Sequence, residues 1–245
     1  MIGIIGYGMV GKAVEYGFNK TNCIISDPDY FDVTITDVCQ ANPLAIFVCV
    51  PTPTDDTDYS LLRGVLRDIQ INNYAGLVIV KSTILPNYIE DFDIVYNPEF
   101  LSRATANIDF VRPPFVLLGG DPVKTKQVAE LYRKYSNVRL EKIIYTDVKT
   151  ASLAKYAMNS FYATKITFMN QMYDVAQELG VNWNGLTDIL RQQPWMGTHH
   201  FQVPGPDGQR GFAGPCLPKD TEALAKEYDV ELLRKVLELN SEFRQ

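Results

Sequence analysis

Cys216 lies in the run Gly211-Phe212-Ala213-Gly214-Pro215-Cys216-Leu217-Pro218-Lys219-Asp220. Glycines let a backbone approach a ligand closely. Pro218 suits the opening of a helix, where its missing N–H leaves no bond unmade. Lys219 adds a positive charge. A helix N-terminus and a neighbouring cation both favour thiolate. The plainer alternative is a buried, inert cysteine beside an ordinary helix start. The glycines, the cation and the helix start together favour a nucleophile.

A second chemical pattern opens the chain. Ile2 to Ile5 reads as a short strand, and Gly6-Tyr7-Gly8-Met9-Val10-Gly11 follows at once. A helical pattern runs from Lys12 to about Phe18. A second strand, Cys23 to Ser26, ends at Asp27. This is the context a dinucleotide fingerprint requires. Gly6 permits the turn, Gly8 admits the pyrophosphate, and Gly11 allows close helix–strand packing. The helix N-terminus then faces the phosphates. Asp27 accepts hydrogen bonds from a ribose and repels a 2′-phosphate, which favours NAD over NADP; Asp29 is a possible substitute.

Further strands are expected at Leu44 to Val50, Leu77 to Val80, Ile94 to Tyr96 and Phe115 to Leu118. Continuous apolar runs suit parallel strands covered on both faces. Ligands of open α/β sheets bind at the carboxyl ends of strands. Polar residues collect there: Thr52 in the stiff loop Pro51-Thr52-Pro53-Thr54, Thr83 in Lys81-Ser82-Thr83, and Glu99 in Asn97-Pro98-Glu99-Phe100-Leu101. Thr52 alone is equally well read as a turn residue.

From about Asp147 the pattern turns helical. Ala151 to Leu179 contains no proline or glycine, and Gly180 is a plausible stop. Lys155 and Asn159 are four apart and share a helix face. On spacing alone, a solvated lysine and a surface asparagine explain them at least as well. Leu153, Tyr156, Ala157 and Phe161 can face a core or a partner. Trp183 to Arg191 is a shorter helix. Gln192 to Gly214 holds three prolines and five glycines, and a loop of that length is usually functional or disordered. Asp220 to Phe243 is helical again, with a break expected near Tyr228-Asp229.

The expected class is therefore α/β: a Rossmann-type doubly wound, mostly parallel sheet followed by a helical dimerisation region. Residues 1–146 form the NAD-binding domain. Residues 147–245 form the helical substrate and dimerisation region that carries the cysteine loop. The unpartnered apolar helix faces imply a homodimer. The 245 residues carry 23 Lys and Arg against 29 Asp and Glu, a net charge of −6. That balance argues against non-specific nucleic-acid binding and anionic membranes. No apolar run is long enough to span a bilayer, and no signal peptide is visible. Cys23, Cys39, Cys49 and Cys216 show no metal-type spacing, and His199 and His200 lack further ligands, so no metal is expected. A reduced, cytoplasmic setting is expected.

With these motifs in order, the chain resembles the UDP-glucose/GDP-mannose dehydrogenase family. The match uses the Gly6–Gly11 fingerprint, Val50-Pro51-Thr52-Pro53, Lys81-Ser82-Thr83 and Asn97 to Leu101. It continues through Lys155-x-x-x-Asn159, Val203 to Gly208 and the Gly211–Asp220 cysteine run. The resemblance implies a four-electron oxidation of a nucleotide-sugar CH2OH to a carboxylate, UDP-glucose to UDP-glucuronate or a relative, as in polysaccharide biosynthesis. Cys216 would carry a thiohemiacetal and then a thioester. Lys155 and Asn159 would stabilise oxyanions. Glu99 would be the general base, with Asp220 and Thr83 positioning water or assisting proton transfer. The implied cofactor set is Gly6, Tyr7, Gly8, Met9, Val10, Gly11, Asp27, Pro51, Thr52, Ser82, Thr83 and Lys219. The implied substrate set is Phe100, Leu101, Arg103, Lys155, Asn159, Gly211, Phe212 and Gly214.

The chain departs from the family in four places. It stops about one helix past Cys216, so a compact form lacking the C-terminal UDP-binding domain, a cut fragment or half of a split enzyme is expected. Arg103 stands where the family usually has a second glutamate. Pro194-Trp195-Met196-Gly197 replaces a run with arginine at its second position, and Arg103 could supply that lost charge. Ala213 replaces a usual glycine. Two alternatives follow: a non-catalytic NAD-binding or assembly subunit, and a two-electron β-hydroxyacid dehydrogenase, which needs no Cys216.

Overall fold

The structure, a computed structural model, describes residues 1–19, 21–52, 58–89 and 91–245. Pro53 and Thr54 of the expected stiff loop lie outside the described residues. The chain forms two compact units, Met1–Lys155 and Tyr156–Gln245.

The first unit alternates strands and helices: β1 (Ile2–Ile5), α1 (Met9–Gly17), β2 (Cys23–Ser26), α2 (Ile35–Gln40), β3 (Ala45–Val48), α3 (Ser60–Ile71), β4 (Leu77–Val80), β5 (Val95–Tyr96), α4 (Ala106–Val111), β6 (Val116–Gly119), α5 (Pro122–Tyr135) and β7 (Ile143–Thr146). The strands form one sheet in the order β2-β1-β3-β4-β5-β6-β7. All pairings are parallel except β5 with β6, where Tyr96 faces Gly119 in antiparallel register. The order reverses between β1 and β3, and such a switch point opens a crevice at the strands' carboxyl ends.

Every residue of β1, β3 and β6 is buried, as expected where helices cover both faces. Phe18, Phe47 and Tyr132 meet with ring centroids 5.0–6.1 Å apart at the centre of this core. Burying one such ring stabilises by about 1.5–3 kcal/mol. Helix starts are fixed locally. Thr34 and Asp37 form a reciprocal capping box on α2. Asp121 accepts from the N–H groups of Val123 and Lys124 at the start of α5, with Pro122 in its first turn.

Several elements differ from the sequence expectation. Helix α1 begins at Met9 rather than Lys12, because Gly8 serves as its N-cap. Helices α2 to α5 were not singled out by pattern, and neither was β7. Strand β7, Ile143-Ile144-Tyr145-Thr146, is only partly buried at the edge of the sheet.

The second unit takes in most of α6 (Val148–Glu178), which begins within the first unit, then α7 (Trp183–Arg191), α8 (Leu217–Glu227) and α9 (Glu231–Phe243). The break between α8 and α9 falls where it was expected, with Asp229 in the left-handed region at φ 53°. One apolar cluster gathers Met169, Ala176, Trp183, Phe201 and Val203. Another joins Ala163, Phe212 and Val236, with Ile166, Leu217 and Leu237 against it. Tyr156 is fully buried, whereas Leu153, Ala157 and Phe161 are exposed.

Candidate active site

The first glycine of the fingerprint, the acidic residue and a strand-end proline line one cleft. A cavity of about 810 Å³ is lined by Gly6, Asp27, Tyr30, Phe31, Val50 and Pro51, among others. Gly6 has φ 90°, and a Cβ there would strike the Cys49 backbone at 2.8 Å. A Cβ on Gly11 would meet the Gly6 carbonyl oxygen at 2.1 Å, while one on Gly8 would meet nothing within 4 Å. Helix–strand packing is therefore tight at Gly6 and Gly11, and space stands open at Gly8. No side chain caps α1, so its first N–H groups are available to an anion. These features fit a dinucleotide.

Asp27 is held rather than loose. One carboxylate oxygen accepts the Tyr7 N–H at 2.6 Å and the other accepts the Asp29 N–H at 3.0 Å. The aromatic lining was missed by pattern. The Tyr7 ring meets Tyr30 and Phe31 edge-on at 5.6 and 5.3 Å. Its signal was the aromatic pair just past the second strand. Met9 and Val10 are half-buried in the first turn of α1, as is Thr52 beyond β3. Ser82 is buried, and its hydroxyl donates to the Val50 carbonyl at 2.7 Å, tying the end of β4 to the end of β3. Thr83, next along, is half-buried.

The loop Asn97–Leu101 presents Glu99. One Glu99 oxygen accepts the Leu101 N–H at 2.6 Å, and the other accepts from Lys155 Nζ at 3.2 Å. The side chains of this pair are 7% and 4% exposed. Lys155 is therefore not the solvated residue that spacing alone allowed. Its ammonium also lies 5.3 Å from the centre of the Phe100 ring, which in turn packs on Phe115. Leu101 packs against the main core of this unit. Arg103 is exposed.

The loop is anchored by a second buried lysine that had no assigned role. Lys81 Nζ donates to the Asn97 carbonyl at 3.0 Å and to its side-chain oxygen at 2.9 Å. Asn97 donates to the Leu117 carbonyl and accepts from the Tyr132 hydroxyl. Burial pushes Lys81 down to about 8, and burial pushes the nearby Cys49 thiol up to about 12.

In the second unit, Asn159 is also buried, so the surface-asparagine alternative fails as well. Its amide donates to Asp220 at 2.5 Å, and Lys219 Nζ donates to the other Asp220 oxygen at 2.6 Å. Asp220 is 1% exposed and sits in the first turn of α8. Cys216 is the N-cap residue of that helix and is half-buried, and none of the four cysteines is in a disulfide. Its carbonyl accepts the Asp220 N–H at 2.9 Å. Gly214 is exposed at φ 86°. The Phe212 side chain is buried in the apolar cluster with Ala163 and Val236, and Gly211 is buried beside it. Among the described residues no group of three His, Cys, Asp or Glu side chains could hold a metal ion, and no helix is long and apolar enough to cross a membrane.

Comparison with known proteins matches residues 34–136 to the NAD binding domain of the UDP-glucose/GDP-mannose dehydrogenase family and residues 149–242 to its central domain. A UDP-glucose 6-dehydrogenase of Rickettsia felis is 32% identical over 224 residues, covering 82% of this chain and 48% of that protein. A GDP-mannose 6-dehydrogenase of Pseudomonas aeruginosa is 30% identical over 226 residues, covering 80% of this chain and 50% of that protein. The chain thus spans about half the length of the curated relatives it matches. In fold, it is similar to a UDP-glucose dehydrogenase from Pyrobaculum islandicum, with TM-score 0.84, 24% identity, and coverage of 98% of this chain and 68% of that one. A 3-hydroxyisobutyrate dehydrogenase from Mycobacterium tuberculosis shares the fold at TM-score 0.75 and 16% identity, covering 99% of this chain and 92% of that one.

Two outcomes follow from the buried charges. Lys155→Met leaves the Glu99 carboxylate uncompensated and is expected to cost about 3–5 kcal/mol in urea unfolding, much of it restored by adding Glu99→Gln. Lys81 has its ordinary value of 10.5 when unfolded and about 8 when folded. Between these values the unfolded chain binds more protons, so this residue's contribution to stability rises with pH. The wild-type stability minus that of Lys81→Met is expected to increase from about pH 8 to 10.5 and to stay flat below; urea titrations across that range check it.

Proposed function

Because the chain belongs to the UDP-glucose/GDP-mannose dehydrogenase family, we propose that it oxidises the CH2OH of a nucleotide sugar, UDP-glucose or a relative, to a carboxylate. The observation that carries this reading is Cys216 at the N-cap of α8, above a first turn fixed by Asn159, Lys219 and the buried Asp220. A thiol so placed is at the end of the helix that favours thiolate.

Gly6 to Gly11 and Asp27 would hold NAD, which when bound accepts hydride. Loss of a proton and a hydride converts the alcohol to an aldehyde. The Cys216 thiolate then forms a C–S bond as the carbonyl electron pair moves onto oxygen. Lys155 and Asn159 would stabilise that oxyanion. A second hydride leaves the same carbon and yields a thioester. Glu99 would take a proton from the attacking water. The C–S bond breaks, and Cys216 departs as thiolate. Two hydrides leave, and one water supplies the new oxygen. Asp220 and Thr83 would position that water or assist its proton transfer.

We also propose a homodimer. Leu153, Phe161, Phe168 and Val175 are 44–62% exposed along α6, and Leu179, just past its end, is 70% exposed. A stripe of this kind on a long helix suits a symmetric helix–helix interface.

Wild type is expected to form two NADH per nucleotide sugar, and Cys216→Ser to make no acid; stopped assays of NADH and acid product check this. One NADH per substrate, insensitive to Cys216, favours the two-electron reading instead. Tight NAD binding without turnover on a panel of nucleotide sugars favours the non-catalytic one. Sedimentation at micromolar concentration is expected to show a dimer that Phe161→Glu with Phe168→Glu converts to monomer; a wild-type monomer refutes the interface.

A further inference from the structure

The segment before Cys216 is held by a side chain that no motif singled out. Asn240, in the last turn of α9, pairs with the backbone of Phe212 at two points. Its Oδ1 accepts the Phe212 N–H at 2.6 Å, and its Nδ2 donates to the Phe212 carbonyl at 3.0 Å. A carboxamide can donate and accept at once, so Asn240 does here what a neighbouring strand would do. Gly211 fits this clamp on two counts. Its φ is 72°, and a Cβ on it would lie 2.4 Å from Asn240 Oδ1.

The residues around the clamp extend it. Arg244 donates to the Arg210 carbonyl at 2.9 Å, to Asp207 at 2.7 Å and to Gln209 at 3.0 Å. Its hydrogen bond holds the Asp207 carboxyl below its ordinary value. From α6, Asn170 Oδ1 accepts the Gly211 N–H at 3.1 Å, and Arg210 donates to the Asn170 carbonyl and to Asp174. Residues 207–212 are thus gripped between α6 and α9.

Beyond the clamp the chain rises into solvent. Ala213, Gly214 and Pro215 are exposed, Cys216 is half-buried, and α8 begins at Leu217, which packs on the same cluster as the Phe212 ring. The thiol therefore rides on a short arch whose two feet are Phe212 and Leu217. Asn240 fixes the first foot. We propose that Asn240 is a positioning residue that sets the seat of the Cys216 thiol through its two-point bond to Phe212. This rests on the reading of Cys216 as the nucleophile.

The test is alkylation of the full chain by iodoacetamide, with Cys216 and Cys23 quantified separately by peptide mapping. Cys23 lies in the other unit and serves as the internal standard. Asn240→Ala is expected to lower the Cys216-to-Cys23 rate ratio about fivefold, because the arch leaves the helix end that favours thiolate. Turnover on nucleotide sugar is expected to fall about tenfold at unchanged KM for NAD, since misplacing a reacting group costs rate rather than remote binding. Asn240→Asp keeps the acceptor for the Phe212 N–H and restores part of the ratio, and it also serves if the alanine variant does not fold. Gly211→Ala is expected to cost less in the Asn240→Ala background than alone, because its collision partner has gone. A ratio within about twofold of wild type, or above it, overturns the proposal. So does a parallel change at both cysteines, which marks general loosening. Alkylation needs no substrate, so an inactive wild type defeats the proposed reaction while the ratio still decides the clamp.

Discussion

A carboxylate and an ammonium oppose one another out of water: Glu99, presented by the loop beyond β5, and Lys155 of α6. Removing either charge from solvent costs several kcal/mol, and their attraction offsets this only when remaining hydrogen bonds are made. Here the second Glu99 oxygen has the Leu101 N–H. The loop must therefore keep one shape, and much of the first unit serves that end. Lys81, just past β4, and Tyr132 of α5 bind Asn97, and Asn97 binds β6. The sheet changes direction at that point, between β5 and β6. A network of this kind fixes a position at the expense of raw stability.

The cofactor cleft follows a different logic. It is built from backbone rather than from charge. Gly6 and Gly11 bring helix and strand close, Gly8 leaves space, and the uncapped start of α1 offers N–H groups. Asp27 is fixed by two backbone donors before any ligand arrives. Pre-ordering of this kind lowers the entropy lost on binding. The second unit uses polar side chains as clamps. Asp220 is satisfied by Asn159 and Lys219, and the cysteine loop is gripped by Asn170, Asn240 and Arg244.

Much of the fold was legible because it rests on local rules. The strands β1, β2 and β4 match the apolar runs residue for residue, since strands covered on both faces need continuous apolar sequence. Helix α7 and the break at Asp229 were equally clear. Helices α2 and α4, six residues each, and the mostly polar α5 escaped because such segments draw their stability from packing rather than pattern; α3, with Leu62, Val65, Leu66 and Ile69 at helical spacing, and the edge strand β7, Ile143-Ile144-Tyr145-Thr146, were legible and went unread. At the site, Tyr30, Phe31 and Asn240 were unread, and Lys81 stood in a motif without a role. A surface tyrosine, a strand-end lysine and a helical asparagine look ordinary until their neighbours are known.

Legible from residue order alone are the glycine fingerprint with its acidic partner, the polar residues at strand ends and the cysteine before a helix. Each depends on backbone conformation within a few residues, and residue type dictates that directly. Residue order left Lys155 and Asn159 undecided between solvent and site. Tertiary structure decided those two, along with the pairing of Glu99, the anchoring of Asn97 and the clamp on Phe212. Their partners stand 56, 61, 16 and 28 residues away. Burial and pairing arise only when the chain returns on itself, and at such separations spacing carries no record of which groups meet.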